Sequence, residues 1–180
     1  MSPLPESIFK LLDTDARLGP DREAKALSES EVRTQTEAAI NGAGIKGTTA
    51  ELVKSATLFM HDHLDASHTI SQDITSASGS MLHGLMHRRE PDYGNARYWW
   101  SRTGNHPCFD TLAERTTELL TNEGATDLLN QLLSDDAWDS SGMVDAISDA
   151  ESGRTNSTTY DLLKKIQKLE IITLLEQELG

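Results

Sequence analysis

Apolar residues recur along most of this chain at spacings of three and four, which is the period of an amphipathic helix. The strongest example is residues 158–179, whose apolar face consists of Leu162, Leu163, Ile166, Leu169, Ile172 and Leu175. Strictly alternating runs of β-branched residues, which would indicate strands, do not occur in the sequence. The pattern therefore predicts an all-α protein, a compact multi-helix array of about six to eight helices.

Capping sequences predict where two of these helices begin. Ser28 opens an S-x-x-E box, which favours a helix start near residue 29. Thr48 opens a similar T-x-x-E box before a run of apolar positions that keeps its helical spacing to about residue 74. We expect residues 48–74 to form one long helix.

Turn residues then divide the segment that follows. Ser76 to Gly79 predicts a turn, and residues 81–90 have the spacing of a short helix. Pro91 ends that helix or begins the next one, over residues 93–102, and Gly104 closes it.

A length of 180 residues fits a single domain spanning residues 1–180. Within it we expect three regions. Residues 1–47 have weak apolar faces and are predicted to be a loosely packed N-terminal segment. Residues 48–106 are predicted to be the site-bearing helices, and residues 107–180 the C-terminal helices.

Charge and cysteine content narrow the classes of partner and compartment. The formal net charge of −13 argues against general affinity for nucleic acid or for an anionic membrane surface. The sequence shows no targeting signal and no apolar run long enough to span a bilayer. Cys108 is the single cysteine, so no internal disulfide can form. We expect a cytoplasmic protein, with Cys108 as a buried hydrophobic residue rather than a nucleophile.

Histidines and carboxylates are concentrated in residues 61–106, which contain all six histidines. Side chains one turn apart on a helix can converge on one metal ion. The candidates are His61, Asp65 and His68 on the first predicted helix, and His83, His87 and Glu90 on the second. His68, His83 and His87 are the principal candidates, and the other three are secondary. An antiparallel pair of helices would make a site suited to zinc, iron, manganese or nickel. The alternative is that these histidines are surface or hydrogen-bonded groups without a metal.

Residues 83–106 contain four of the nine arginines against two acidic residues, Glu90 and Asp92, so they are net positive within a very acidic chain. Arginine forks bind carboxylate or phosphate groups in bidentate fashion, and aromatic rings beside them supply a stacking wall. The predicted ligand-binding residues are Arg88, Glu90, Asp92, Asn95, Tyr98 and Trp99. The alternative is structural: Arg88 pairs with Glu90 or Asp92 and ties helices together.

The stretch also resembles an uncharacterised family of small helical proteins found in bacteria and fungi. The family pattern is H-x-I-x-Q, then H-x-x-x-H-R-x-E-x-D-x-x-N-A-x-Y-W, then a glycine before H-P. It falls here on His68, Ile70, Gln72, His83, His87, Arg88, Glu90, Asp92, Asn95, Ala96, Tyr98, Trp99, Gly104, His106 and Pro107. Leu82 departs from it, since relatives have an aromatic residue there, and His61 lies outside it. The resemblance implies one shared site built by His68, His83, His87 and the polar residues that follow, and it implies no activity.

Two functional hypotheses follow, and the sequence does not choose between them. The first is a pocket lined by histidine, carboxylate and arginine that binds a divalent metal or a small anionic molecule, with hydrolytic or acid–base chemistry. The second is a non-catalytic helical interaction module, in which the polar cluster is a structural network of hydrogen bonds and ion pairs. In that case partner contacts run through the C-terminal amphipathic helix. Taken alone, that helix is either a core-packing element or a homodimer contact. No local catalytic motif such as G-x-S-x-G or a P-loop is present.

Overall fold

The computed structural model describes residues 4–23 and 26–180. Over these residues the chain forms ten α-helices and one two-stranded antiparallel hairpin, which confirms the all-α prediction but exceeds the predicted number of helices. The elements are α1 (Glu6–Leu12), α2 (Glu29–Ala43), α3 (Gly47–Met60), α4 (Leu64–Ser71), α5 (Ala77–Arg89), α6 (Tyr93–Thr103), α7 (Cys108–Asn122), α8 (Thr126–Leu132), β1 (Leu133–Ser134), β2 (Ala137–Trp138), α9 (Ser140–Glu151) and α10 (Ser157–Leu179).

One of the two predicted capping boxes forms. At the start of α2, the Ser28 side chain accepts a hydrogen bond from the Glu31 amide, and the Glu31 carboxylate accepts one from the Ser28 amide. The box at Thr48 is wrong, because α3 begins at Gly47, two residues before the start that an N-cap at Thr48 predicts. Its N-cap is Lys46, which makes no side-chain capping bond.

The long helix predicted over residues 48–74 is also wrong, since the chain breaks between α3 and α4. Asp62 lies in the break with a left-handed backbone (φ 61°). Ser55 and Ser67, on opposite sides of the break, exchange hydrogen bonds between side-chain hydroxyl and backbone carbonyl. Helix α4 therefore folds back against α3. The apolar spacing continues through the break because both helices bury their apolar residues in the same core.

Helix α10 is a central element of the core. Leu163, Ile166 and Leu174 on this helix are completely buried. Among the described residues, the large hydrophobic side chains that are exposed are Phe9 and Tyr98, neither of them on α10. The apolar face proposed for a homodimer is thus covered by the chain's own helices. None of the helices in the described parts of the chain has both the length and the apolar character needed to cross a membrane.

The described part of the N-terminal segment contributes to the same core. Ile8 and Leu12 on α1 are completely buried, as is Leu18 in the loop that follows. Lys164 and Lys168 of α10 form ion pairs with acidic residues of this loop, at 2.8 and 2.9 Å. Residues 4–18 are therefore held against α10 by apolar burial with charge pairs at the rim.

Candidate metal centre

Three histidines from two helices meet at one place in the structure. His68 lies on α4, and His83 and His87 lie one turn apart on α5. Each offers a ring nitrogen, and the three nitrogens lie within 4.8 Å of one another. The break at Asp62 makes this possible, because it folds α4 back into a separate short helix that packs beside α5. The structure thus brings together the three principal metal candidates.

The rings of this cluster are ordered by stacking. His83 and His87 are nearly parallel, with ring centroids 4.9 Å apart. His68 meets them edge-on at 4.6 and 5.3 Å. Trp99 of α6 stacks on His83 at 4.0 Å with an interplanar angle of 10°. Trp99 therefore restricts the orientation of His83, and exposed Tyr98 packs edge-on against Trp99 at 5.4 Å.

Burial keeps the two imidazoles of α5 in this cluster neutral. His83 is only 4% exposed, and among the described residues its Nδ1 has no hydrogen-bond partner. Burial, followed by the proximity of His68 and His87, lowers the pKa of His83 to about 4. Burial and His68 also lower the pKa of His87 below its ordinary value, opposed by Asp92. Neutral imidazole is the form that binds a metal, so protons do not compete for His83 and His87 near pH 7.

Two carboxylates border the cluster on the side of His87. Glu90 Oε2 and Asp92 Oδ2 lie 3.5 and 3.9 Å from its Nδ1, beyond good hydrogen-bond geometry. Burial raises the pKa of Glu90 above its ordinary value. The hydrogen bonds from Asn95 lower the pKa of Asp92, which is the N-cap of α6. The amide and side chain of Asn95 are both used in this cap.

Arg88 does not join this cluster. Its side chain is completely buried and donates two hydrogen bonds to Glu170 of α10, at 2.9 and 2.5 Å. The sequence predicts an anion-binding Arg88, or one that pairs with Glu90 or Asp92, and the structure shows neither arrangement. The physical reason is that a buried carboxylate on α10 requires a buried cation, which only the tertiary fold supplies.

The neighbouring Arg89 forms a second buried pair. Its Nη2 donates to Asp62 Oδ1 at 2.6 Å and its Nε donates to the Gly19 carbonyl at 2.8 Å. Both side chains of the pair are completely buried. Arg88 and Arg89 are therefore each used in a buried ion pair, separate from the histidine cluster.

Two secondary candidates are not among the residues whose ligand atoms converge. His61 is buried at the end of α3, where its ring nitrogens contact the Leu11 carbonyl and the Leu27 amide at 3.0 and 3.3 Å. The break at 61–63 removes it from the helical stripe it was predicted to share with His68. Asp65 is exposed in the first turn of α4.

Sequence reasoning did not identify Glu170 or Asp62. A signal existed for Glu170, because it lies four residues after Ile166 on the apolar face of α10, and a carboxylate there requires a buried partner. Asp62 carried no such signal, since the helical spacing runs through it.

The chain matches no protein-family model, no curated protein and no solved structure. The resemblance described above therefore stays a prediction, and function has to be argued from the geometry of the site.

Proposed function

We propose that this protein binds a divalent transition-metal ion through His68, His83 and His87 and uses it in hydrolytic or acid–base chemistry. The observation that carries the proposal is the convergence of three ring nitrogens within 4.8 Å. His83 supports it further, because a buried imidazole nitrogen without a partner is costly unless something binds it.

The donor set fits a metal centre with an open position. Catalytic zinc sites have three protein ligands, and three histidines are one of the sets that serve. Zinc–nitrogen bonds of about 2.1 Å place such nitrogens about 3.4 Å apart in a tetrahedral site. The rings would have to converge by roughly an ångström, a shift within reach of side-chain rotation.

The surroundings supply what such a centre uses. His68 and His87 are only partly buried, so solvent can reach the cluster. Glu90 and Asp92 lie 3.5 and 3.9 Å from Nδ1 of His87, so a small movement would let either carboxylate accept its proton and leave Nε2 for the ion, as carboxylates behind metal-bound histidines do. A bound ion would supply a water of lowered pKa as nucleophile.

Metal content of the untagged chain tests the proposal. After stripping with chelator and reloading with Zn²⁺, Mn²⁺, Fe²⁺ or Ni²⁺ in turn, we expect elemental analysis to give near one equivalent of one of them. The bound ion should also raise the melting temperature by mass action. The double variant His83→Ala/His87→Ala should lose both signals and keep its helical circular dichroism.

His63→Ala is the matched control. His63 is a half-buried histidine at the start of α4 whose Nε2 contacts the Leu27 carbonyl at 2.8 Å, outside the cluster. We expect this variant to bind metal as the wild type does. Absence of stoichiometric metal in the reloaded wild type, or equal loss in the control, would overturn the proposal.

The chemistry is tested separately, on metal-loaded protein. Hydrolysis of activated carboxylic and phosphoric esters should require the ion and disappear with His83→Ala/His87→Ala. For an anionic substrate, Arg102 would bind the anion, which is the role that the sequence predicted for Arg88. It is exposed and lies over the Trp99 ring at 5.5 Å. Arg102→Ala should then raise KM for an anionic ester and leave KM for a neutral ester unchanged.

The two buried ion pairs favour a second candidate, a non-catalytic helical module stabilised by a polar network. This candidate accounts for Arg88 and Arg89, but it leaves the unpartnered nitrogen of His83 unexplained. It requires that no metal binds, so the reloading experiment distinguishes the two.

A further inference from the structure

The two helices that carry the three histidines are tied together at both ends. The short segment 72–76 joins the end of α4 to the start of α5. At the opposite end, Arg89, the last residue of α5, forms its ion pair with Asp62, two residues before α4 begins. Building on the proposed function, we infer that the Asp62–Arg89 pair is the positioning device of the metal centre. It sets the distance between His68 and the two histidines of α5.

The contacts around Asp62 leave it little freedom. Its Oδ1 accepts from Arg89 and from the Arg17 amide, and its Oδ2 accepts from the Glu23 amide at 2.7 Å. These three donors hold the left-handed backbone that ends α3 and directs the chain into α4. Asp62 is therefore the hinge point from which α4 starts.

Arg89 is held just as firmly on its own side. Besides Asp62, it donates to the Gly19 carbonyl, and its guanidinium lies over the Phe59 ring at 5.3 Å. Arg89 follows His87 by two residues, so its pair with Asp62 joins the start of α4 to the end of α5 that carries His87. Movement of the start of α4 would therefore change the distance between His68 and α5. His83 and His87 share one helix, so their mutual spacing does not depend on the pair.

The expected effect is specific for this reason. Without the pair, α4 can pivot about the 72–76 segment, and His68 leaves the position in which it completes the cluster of three histidines. Helix α4 has only eight residues, and a displacement of about 1 Å is enough to spoil a site of this kind. Two histidines would remain as ligands where three bind in the wild type.

The neighbouring pair provides a matched control. Arg88–Glu170 is equally buried and begins one residue earlier on α5, but it joins α5 to α10 and not to α4. Breaking either pair strands a buried charge, so both changes should destabilise the fold to a similar degree. Only the loss of Asp62–Arg89 should change the metal centre itself.

The test compares Asp62→Asn with Glu170→Gln in the full chain, at a temperature where circular dichroism shows both folded. Co²⁺ serves as the probe, because its visible absorption reports coordination number and its titration reports affinity. We expect Asp62→Asn to weaken Co²⁺ binding by about tenfold or more and to lower the intense four-coordinate absorption. Glu170→Gln should leave the spectrum unchanged and the affinity within about threefold. If Asp62→Asn does not fold, Arg89→Lys carries the test, since it keeps the charge but cannot reach both Asp62 and Gly19.

Equal weakening by the two variants, or wild-type affinity and spectrum in Asp62→Asn, would overturn the inference while leaving the metal centre in place. A wild-type chain that binds no Co²⁺ and none of the other ions would instead overturn the proposed function.

Discussion

The buried pair between Arg88 and Glu170 offers the most direct test of the fold. Both side chains are completely buried, and two hydrogen bonds join them. The change Glu170→Gln keeps the size of the side chain but removes its charge, which leaves the guanidinium charged and unmatched in the core. Removing one partner of such a pair costs about 3–5 kcal/mol.

That cost is large for a domain of this size. Total stabilities of about 5–15 kcal/mol are usual, so about a fifth or more of the free energy of unfolding would be lost. At about 2–4 °C per kcal/mol for a chain of this length, the melting temperature should fall by roughly 6–20 °C. Glu90→Ala serves as the comparison, because Glu90 is a partly exposed carboxylate at the C-terminal end of α5, the helix that carries Arg88. This change should alter the free energy of unfolding by only about 0.5 kcal/mol.

Urea denaturation followed by circular dichroism at pH 7 measures both changes. The double variant Arg88→Met/Glu170→Leu completes the experiment, because replacing both charges with apolar side chains of similar size is often neutral. We expect it to recover most of the stability lost in Glu170→Gln. A loss below about 1 kcal/mol in Glu170→Gln, or a double variant as unstable as the single one, would refute the assignment of a buried ion pair.

Three further predictions concern pH, thiol chemistry and backbone packing. The folded pKa of His83, about 4, lies below the unfolded value of 6.5, so the unfolded chain binds the proton first as pH falls. Metal-free protein should therefore lose up to about 3 kcal/mol between pH 7 and 4, measured by urea denaturation, and His83→Gln should flatten this dependence. Cys108 is buried, and burial raises the pKa of its thiol to about 12. Iodoacetamide at pH 8 should therefore label it only after denaturation, and rapid labelling of the native chain would contradict this prediction. Gly79→Ala should lower the melting temperature, because a Cβ there would lie 2.1 Å from the Ile74 carbonyl oxygen. Gly42 lies within α2 with open space around it, so Gly42→Ala should instead stabilise the protein by up to about 1 kcal/mol. Equal effects of the two glycine changes would be inconsistent with the packing described.

Local chemistry made part of the candidate site predictable. His83 and His87 lie one turn apart on a helix whose spacing is evident in the sequence, so their common face follows from the helical period alone. The start of that helix was predicted wrongly, because α5 begins at Ala77, within the turn expected over residues 76–79. Asp92 and Asn95 are likewise a local pair, since a side-chain oxygen at the N-cap bonds an amide three residues later. The convergence of His68 with them is different, because it depends on how α4 packs beside α5.

The break at Asp62 shows why the long-range part was not predictable. The apolar period over residues 48–74 is that of one continuous helix, and propensity gives no reason to interrupt it. The interruption depends on donors that come from residues 17–23 and from Arg89, which are distant in sequence. A left-handed aspartate costs about 1 kcal/mol, which these hydrogen bonds offset only in the folded state.

By itself, the sequence of this protein determined that the chain is helical, where α2 begins, where α6 and α10 begin and end to within a residue, and which short stretch holds its histidines. These properties depend on side chains within a few residues of one another. The tertiary structure alone decided that three imidazoles converge while His61 does not. It also decided that Arg88 and Arg89 bind Glu170 and Asp62 rather than a ligand. The reason is that a buried charged side chain pairs with an opposite charge that the packing of the helices places beside it, and that partner can lie anywhere along the chain.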